Sequence, residues 1–192
     1  MGQLSFFSAE TDEPVYEDLS GVLATRGQSF RSDAGSRVSI IVDDEWRARA
    51  LVSAMREAGL SAEMIASDEG TLIARTAICH ELDALHRQWS AGAVKAMPSG
   101  WVPSPRAIRL WTIAAGEREG DHYLLGLDSH APESHAPLAT ALMRVGIAPT
   151  LVGTRSHHPA LRITGKRRLQ RLVEYVGRPP DAADSWPAVV GF

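Results

Sequence analysis

Apolar and polar positions change period along this chain, and the changes come in the same order twice. After a polar, acidic start, Leu19-Ser20-Gly21-Val22-Leu23-Ala24-Thr25-Arg26-Gly27 is a run of small and apolar residues closed by a glycine. It reads as the body of a helix over residues 14–26, with Pro14 at its start. Small residues at Gly21 and Ala24 would let a second helix approach closely, and Gly27 is expected in the left-handed conformation that ends a helix. Residues 28–31 and 37–42 then read as two strands about a turn. In the second, Val38, Ile40 and Val42 share one face and Arg37 and Ser39 the other. Asp43 or Asp44 caps a helix in which Trp46, Ala50, Leu51, Ala54, Met55 and Ala58 recur at helical spacing before Gly59. A hairpin over residues 61–66 and 71–76 follows, and then a third helix over 78–89.

Residues 90–104 are rich in small residues, proline and glycine. Beyond them the order repeats: helix 104–115, strands 117–118 and 122–127, helix 134–145, strands 148–152 and 160–164, helix 166–176. Ala54-Met55-Arg56-Glu57-Ala58-Gly59-Leu60 corresponds to Ala141-Leu142-Met143-Arg144-Val145-Gly146-Ile147, and Leu82 and Leu85 to Leu169 and Leu172, all at a spacing of 87 residues. Internal repetition at a fixed spacing says more than any single element. The expected fold class is α+β: two tandem αββαββα repeats forming a pseudo-symmetric saddle with antiparallel sheets. The expected division is a flexible N-terminal tail (1–13), a first repeat (14–90), a linker (91–103), a second repeat (104–177) and a C-terminal tail (178–192).

Charge changes this picture in one respect. The net charge is −3, which does not suit a wholly basic nucleic-acid binder. Residues 1–100 carry nine basic and fifteen acidic side chains, residues 101–192 eleven and eight, so an anionic partner is expected at the second half. The single cysteine, Cys79, excludes an internal disulfide framework and fits a reducing cytoplasm. No apolar run approaches the ~20 residues that span a membrane, and no secretion signal is expected.

The N-terminal group Gln3-Leu4-Ser5-Phe6-Phe7 allows two readings. It docks its phenylalanines on its own domain, or it reaches outward as a linear motif. In the second case it resembles the Gln-Leu-x-Leu-Phe pentapeptide by which bacterial replication and repair proteins bind the DNA sliding clamp, with Phe6 where leucine is usual. The resemblance implies clamp contacts through Gln3, Leu4, Phe6 and Phe7.

The twofold αββαββα order and the Leu-x-Gly-x-x-x-x-x-Gly helix over residues 19–27 resemble the LAGLIDADG homing-endonuclease fold, in the degenerate variety of the WhiA sporulation regulators. The similarity covers about residues 14–177. In the nucleases an acidic residue before the final glycine of each motif helps hold divalent metal at the scissile phosphates. Arg26 and Ala115 stand at those positions here, and neither supplies the oxygen ligands that Mg²⁺ requires. The resemblance therefore implies a non-catalytic protein without a cofactor. Glu117, with Asp121, is the one residual route to a nuclease.

The family lays its sheet concavity against duplex DNA, which makes Arg31, Arg37, Arg75, Arg118, Arg155 and Arg162 candidates for phosphate contacts. Lys166 and Arg167, in the basic run 166–168, join them because their charges oppose the dipole at a helix N-terminus. Two other clusters carry less. His130, His135, His157 and His158, with Asp128 and Glu133, match no compact zinc spacing. Cys79 and His80 are adjacent and point in different directions. The expected function is a non-catalytic DNA-binding or DNA-associated accessory protein, expected as a monomer and tethered to the clamp. The alternatives are a WhiA-like transcription regulator, for whose helix-turn-helix domain the chain has no room, and a protein-interaction module without DNA binding.

Overall fold

In the computed structural model, residues 8–67, 70–154 and 158–188 are described. The first unit opens with a 3-10 turn (Tyr16–Leu19), then α1 (Ser20–Leu23), β1 (Gln28–Ser32), β2 (Gly35–Val42), α2 (Glu45–Glu57), β3 (Ala62–Ala66), β4 (Leu72–Thr76) and α3 (Asp83–Gln88). A small hairpin, β5 (Ser90–Ala91) and β6 (Val94–Lys95), lies in the connection. The second unit is α4 (Pro105–Ala115), β7 (Gly116–Glu119), β8 (His122–Gly126), α5 (His135–Arg144), β9 (Thr150–Val152), β10 (Ala160–Ile163) and α6 (Lys166–Val176). The strands form two four-stranded sheets of equivalent order, β1-β2-β4-β3 and β7-β8-β10-β9, antiparallel throughout. The repeat is thus present in topology as well as in spacing. Gly59 and Gly146, 87 residues apart, even share a backbone φ of 82–83°.

Buried side chains from both units merge into one core, running from Leu19, Val22 and Leu23 through Ile108 and Trp111 to Leu161 and Leu172. The motif helices form its middle. A Cβ at Gly21 would lie 1.8 Å from the carbonyl oxygen of Ala107 in α4, so α1 and α4 meet backbone to backbone. None of the described helices is long and apolar enough to cross a membrane.

Three local differences from the sequence reading have physical causes. Residues 14–19 do not extend the motif helix. The buried Asp18 accepts hydrogen bonds from the Val15 N–H (3.0 Å) and the Ser104 hydroxyl (2.7 Å), and this ties the entry into a 3-10 turn. The third helix starts late because Cys79 exchanges two backbone hydrogen bonds with Ser36, which keeps the chain extended there. Gly27 is not left-handed. Its lack of a Cβ matters instead because that atom would meet the Val22 carbonyl at 2.5 Å.

The connection and the described ends are also packed. Trp101 stands edge-on to Trp89 of the first unit at 5.1 Å and 6.4 Å from Trp111 of α4. Residues 8–13 are anchored rather than free: Ala9 donates to the Tyr175 carbonyl, and Glu10 accepts from the Arg178 N–H. In the segment after α6, Trp186 is buried, donates to the Gly177 carbonyl and lies under the Arg109 guanidinium. A groove of about 860 Å³ between α2, α4 and residues 179–182 runs along this helical side.

Backbone cannot yield as a flexible side chain does, so Gly21→Val is expected to cost at least about 3 kcal/mol. For a chain of this size that lowers the melting temperature by roughly 6–12 °C. Thermal and urea unfolding, compared with the parent, check this.

Candidate functional site

The register divides each sheet into a face covered by helices and an open face. In the first sheet Val38, Ile40, Val42 and Ala74 point into the core, while Phe30, Arg37, Ile41, Ile73 and Arg75 point away from it. In the second, Tyr123, Leu125, Leu161 and Ile163 point inward, and Glu117, Leu124 and Arg162 lie on the open face. Arg37, Arg75 and Arg162 therefore share the open surface of the saddle. Arg37 stacks on Phe30 at 5.4 Å. Arg75 is held by Glu63 through two hydrogen bonds, at 2.8 and 2.9 Å.

The other described basic candidates are not on this face. Arg31 pairs across from Ser36 and Arg118 across from Tyr123, both core-side positions. Arg118 donates to the Trp186 carbonyl, behind its sheet. These two were expected at the concavity, and the one-residue alternation of the strand sends them to the other side. Lys166 and Arg167 are exposed on α6, whose Leu169, Leu172 and Val176 pack into the core. Arg155 lies outside the described residues, as do Gln3, Leu4, Phe6 and Phe7. Among the described open-face residues the charges balance, with Arg37, Arg75 and Arg162 against Glu63, Glu117 and Glu119.

Sequence reasoning missed two cations at the centre of the saddle. Helix C-termini present carbonyls that lack intrahelical partners and carry partial negative charge. At the end of the first motif helix, Lys95 from β6 donates to the carbonyls of Thr25 and Gly27 and to Asp128 Oδ2, the last two at 2.7 and 3.0 Å. At the end of α4, Arg47 from α2 donates to the carbonyls of Ile113 and Gly116, both at 2.7 Å, while Asp44 holds its Nε. Each cation reaches across from the other unit or from the connection. Lys95 is 11% exposed and Asp128 3%. Burial pushes the Lys95 ammonium pKa down, partly offset by the Asp128 charge. Burial pushes the Asp128 carboxyl up, but Lys95 and hydrogen bonds from the His130 N–H and Gln28 outweigh it, so the net shift is downward. The only sequence signal was a lone lysine in an otherwise uncharged stretch, residues 88–105.

A divalent metal does not fit here. Arg26 and Ala115 occupy the motif positions, Arg26 is paired to Asp43, and Asp44 and Asp128 are committed to Arg47 and Lys95. Among the described residues no group of three carboxylate, histidine or cysteine side chains could hold a metal. His135 is buried with Nε2 2.7 Å from the Asp128 carbonyl, and His130 is exposed. Burial raises the Cys79 thiol pKa, the opposite of an activated nucleophile.

The same saddle occurs in solved structures. It is similar to the homing endonuclease I-WcaI bound to its DNA recognition sequence, with a TM-score of 0.63 at 12% identity over 92% of this chain and 89% of that one. It is similar to full-length WhiA from Thermatoga maritima, with 0.60 at 17% over 86% and 55%, and to the N-terminal LAGLIDADG domain of WhiA, with 0.58 at 15% over 91% and 87%. The chain thus spans about half the length of full-length WhiA. No protein-family model matches the sequence, and no curated protein matches it significantly. At these identities the likeness establishes the fold: a LAGLIDADG-like saddle of two repeated halves.

Removing one partner of a buried pair strands the other charge, so Lys95→Met is expected to destabilise by about 3–5 kcal/mol, with Lys95→Met/Asp128→Asn recovering much of it. The folded Asp128 carboxyl titrates below its unfolded value. Its contribution is present above the ordinary carboxylate pKa of about 4 and is lost as pH falls through the lower folded value. Urea unfolding between pH 7 and 3 is expected to show this loss in the parent and a flatter profile in Asp128→Asn.

Proposed function

We propose that this protein is a non-cleaving, DNA-associated accessory protein that lays its open saddle face on duplex DNA and is tethered through its N-terminal peptide to the sliding clamp. The observation that carries the non-cleaving part is the pair of side-chain cations, Lys95 and Arg47, seated on the ends of both motif helices. They neutralise the carbonyl ends without leaving carboxylates for a metal. The DNA part is supported by the fold, by the I-WcaI structure being one with bound DNA, and by Arg37 and Arg162 at open-face positions of the two sheets. Neither of these two has an acidic partner among the described residues.

The clamp part rests on Gln3, Leu4, Phe6 and Phe7. Arg106, at the start of α4, holds the Ala9 carbonyl, whereas the other end of α4 runs into the sheet. The anchor for the peptide therefore lies about one helix length, ~16 Å, behind the open face. A tether there leaves the saddle free for a second partner.

A second reading, a protein-binding saddle, is favoured by the balanced charge of the face and by Phe30 and Ile41, each about half exposed on it. Fluorescence anisotropy on a labelled duplex separates the two. Under the DNA reading, binding weakens steeply with salt, and Arg37→Ala/Arg162→Ala reduces the salt slope by about 2 without changing sequence preference. Absence of binding at low salt supports the protein reading. No cleavage is expected with Mg²⁺ or Mn²⁺, and metal-dependent cutting lost in Glu117→Ala overturns the non-enzymatic assignment. With purified clamp, Phe6→Ala/Phe7→Ala is expected to abolish a micromolar interaction in a pull-down and leave the melting temperature unchanged.

A further inference from the structure

A second, smaller cavity of about 350 Å³ lies between β1, the end of α3 and the β5–β6 hairpin, at the edge of the open face, with which it shares Phe30. Its wall includes Ser29, Arg31, His86, Trp89, Ser90 and Lys95. No carboxylate lines it, although the first hundred residues are strongly acidic overall. Two of the wall residues are cations. Lys95 is committed to carbonyls and Asp128, but Arg31 makes no hydrogen bond or ion pair with any described residue.

Polar side chains converge in this wall. Ser29 Oγ lies 2.9 Å from His86 Nδ1 and 3.4 Å from Ser90 Oγ. Trp89, 2% exposed, backs this wall and stands edge-on to Trp101 at 5.1 Å. Phe30 and Val94, both more than half exposed, add apolar surface at the mouth. Burial and the Arg31 charge lower the His86 pKa, so the ring is neutral near pH 7. A neutral His86 with its proton on Nδ1 donates to Ser29 and leaves that hydroxyl free to donate into the cavity.

We infer that this cavity binds a phosphorylated nucleotide, with the phosphate held by Arg31 and the Ser29 and Ser90 hydroxyls and the base against the apolar surface of Phe30 and Val94. The volume is at the small end for ligand pockets, about 300–1,000 Å³, which suits a mononucleotide. The nucleotide comes either free or as the 5′-phosphorylated end of a strand. The site does not require the saddle itself to bind duplex DNA, because Arg31 points away from the open face.

The test is titration of the full chain, followed by tryptophan fluorescence and calorimetry, with nucleoside monophosphates, the matching nucleosides, inorganic phosphate, and short single strands with and without a 5′-phosphate. Nucleoside monophosphates are expected to saturate with a Kd on the order of 100 μM, at least tenfold tighter than phosphate or nucleoside alone. Arg31→Ala is expected to weaken them tenfold or more. Arg31 makes no hydrogen bond or ion pair with a described residue, although its charge acts on Asp83; the variant's melting temperature is measured alongside to verify the fold, and Arg162→Ala serves as an open-face control with unchanged affinity. Competition by the 5′-phosphorylated strand alone assigns the site to strand ends, and its failure to compete assigns it to free nucleotide. The inference is overturned by no saturable binding, by phosphate binding as tightly as the nucleotide, or by Arg31→Ala leaving affinity intact. Duplex affinity measured in parallel with Arg37→Ala/Arg162→Ala fails or survives independently.

Discussion

The close approach of two helix backbones governs this molecule. With no side chain at Gly21, α1 fits against the Ala107 carbonyl of α4 at a distance that a single added carbon would violate. That contact brings the two units together as halves of one object. It merges their cores into one, and the C-terminal carbonyls of both motif helices lie within reach of side chains from outside those helices.

The two helix C-termini have an electrostatic requirement. Each end carries roughly half a negative charge and carbonyls that need donors. The chain answers with Lys95 and Arg47, each reaching in from outside the helix it caps. Their roles differ. Lys95 is almost fully buried and needs Asp128 as counter-charge, which makes the pair a link between the connection, the first motif helix and the second unit. Arg47 remains tied to Asp44 at the start of its own helix and clamps α2 to α4. In both places the positive charge at the helix ends is supplied by a side chain of the protein itself.

The open face is less specialised than the fold suggests. Three arginines are matched by three glutamates, and apolar side chains lie between them. Such a surface gives modest, salt-sensitive attraction to a polyanion and useful contact area for a protein. At the small cavity beside β1, by contrast, no carboxylate stands in the wall, and Arg31 makes no hydrogen bond or ion pair with a described residue.

The sequence by itself determined the repeat, the α+β class, the order of elements and the helix–helix seam, because these rest on local periodicity and on small residues at fixed spacing. Leu82, Leu85, Leu169 and Leu172, matched by position alone, are all buried. It also placed Arg26 and Ala115 at the positions where the resemblance expects carboxylates, since a motif position is a matter of counting. Only the tertiary structure decided which arginines share a face. Strand alternation makes a one-residue difference in register equal to a change of side, and that is how Arg31 and Arg118 left the concavity that Arg37 and Arg162 share. Nor could the sequence reveal the partners of Lys95. Asp128 lies 33 residues away and the Thr25 carbonyl 70, and a backbone carbonyl leaves no mark on the residue that offers it.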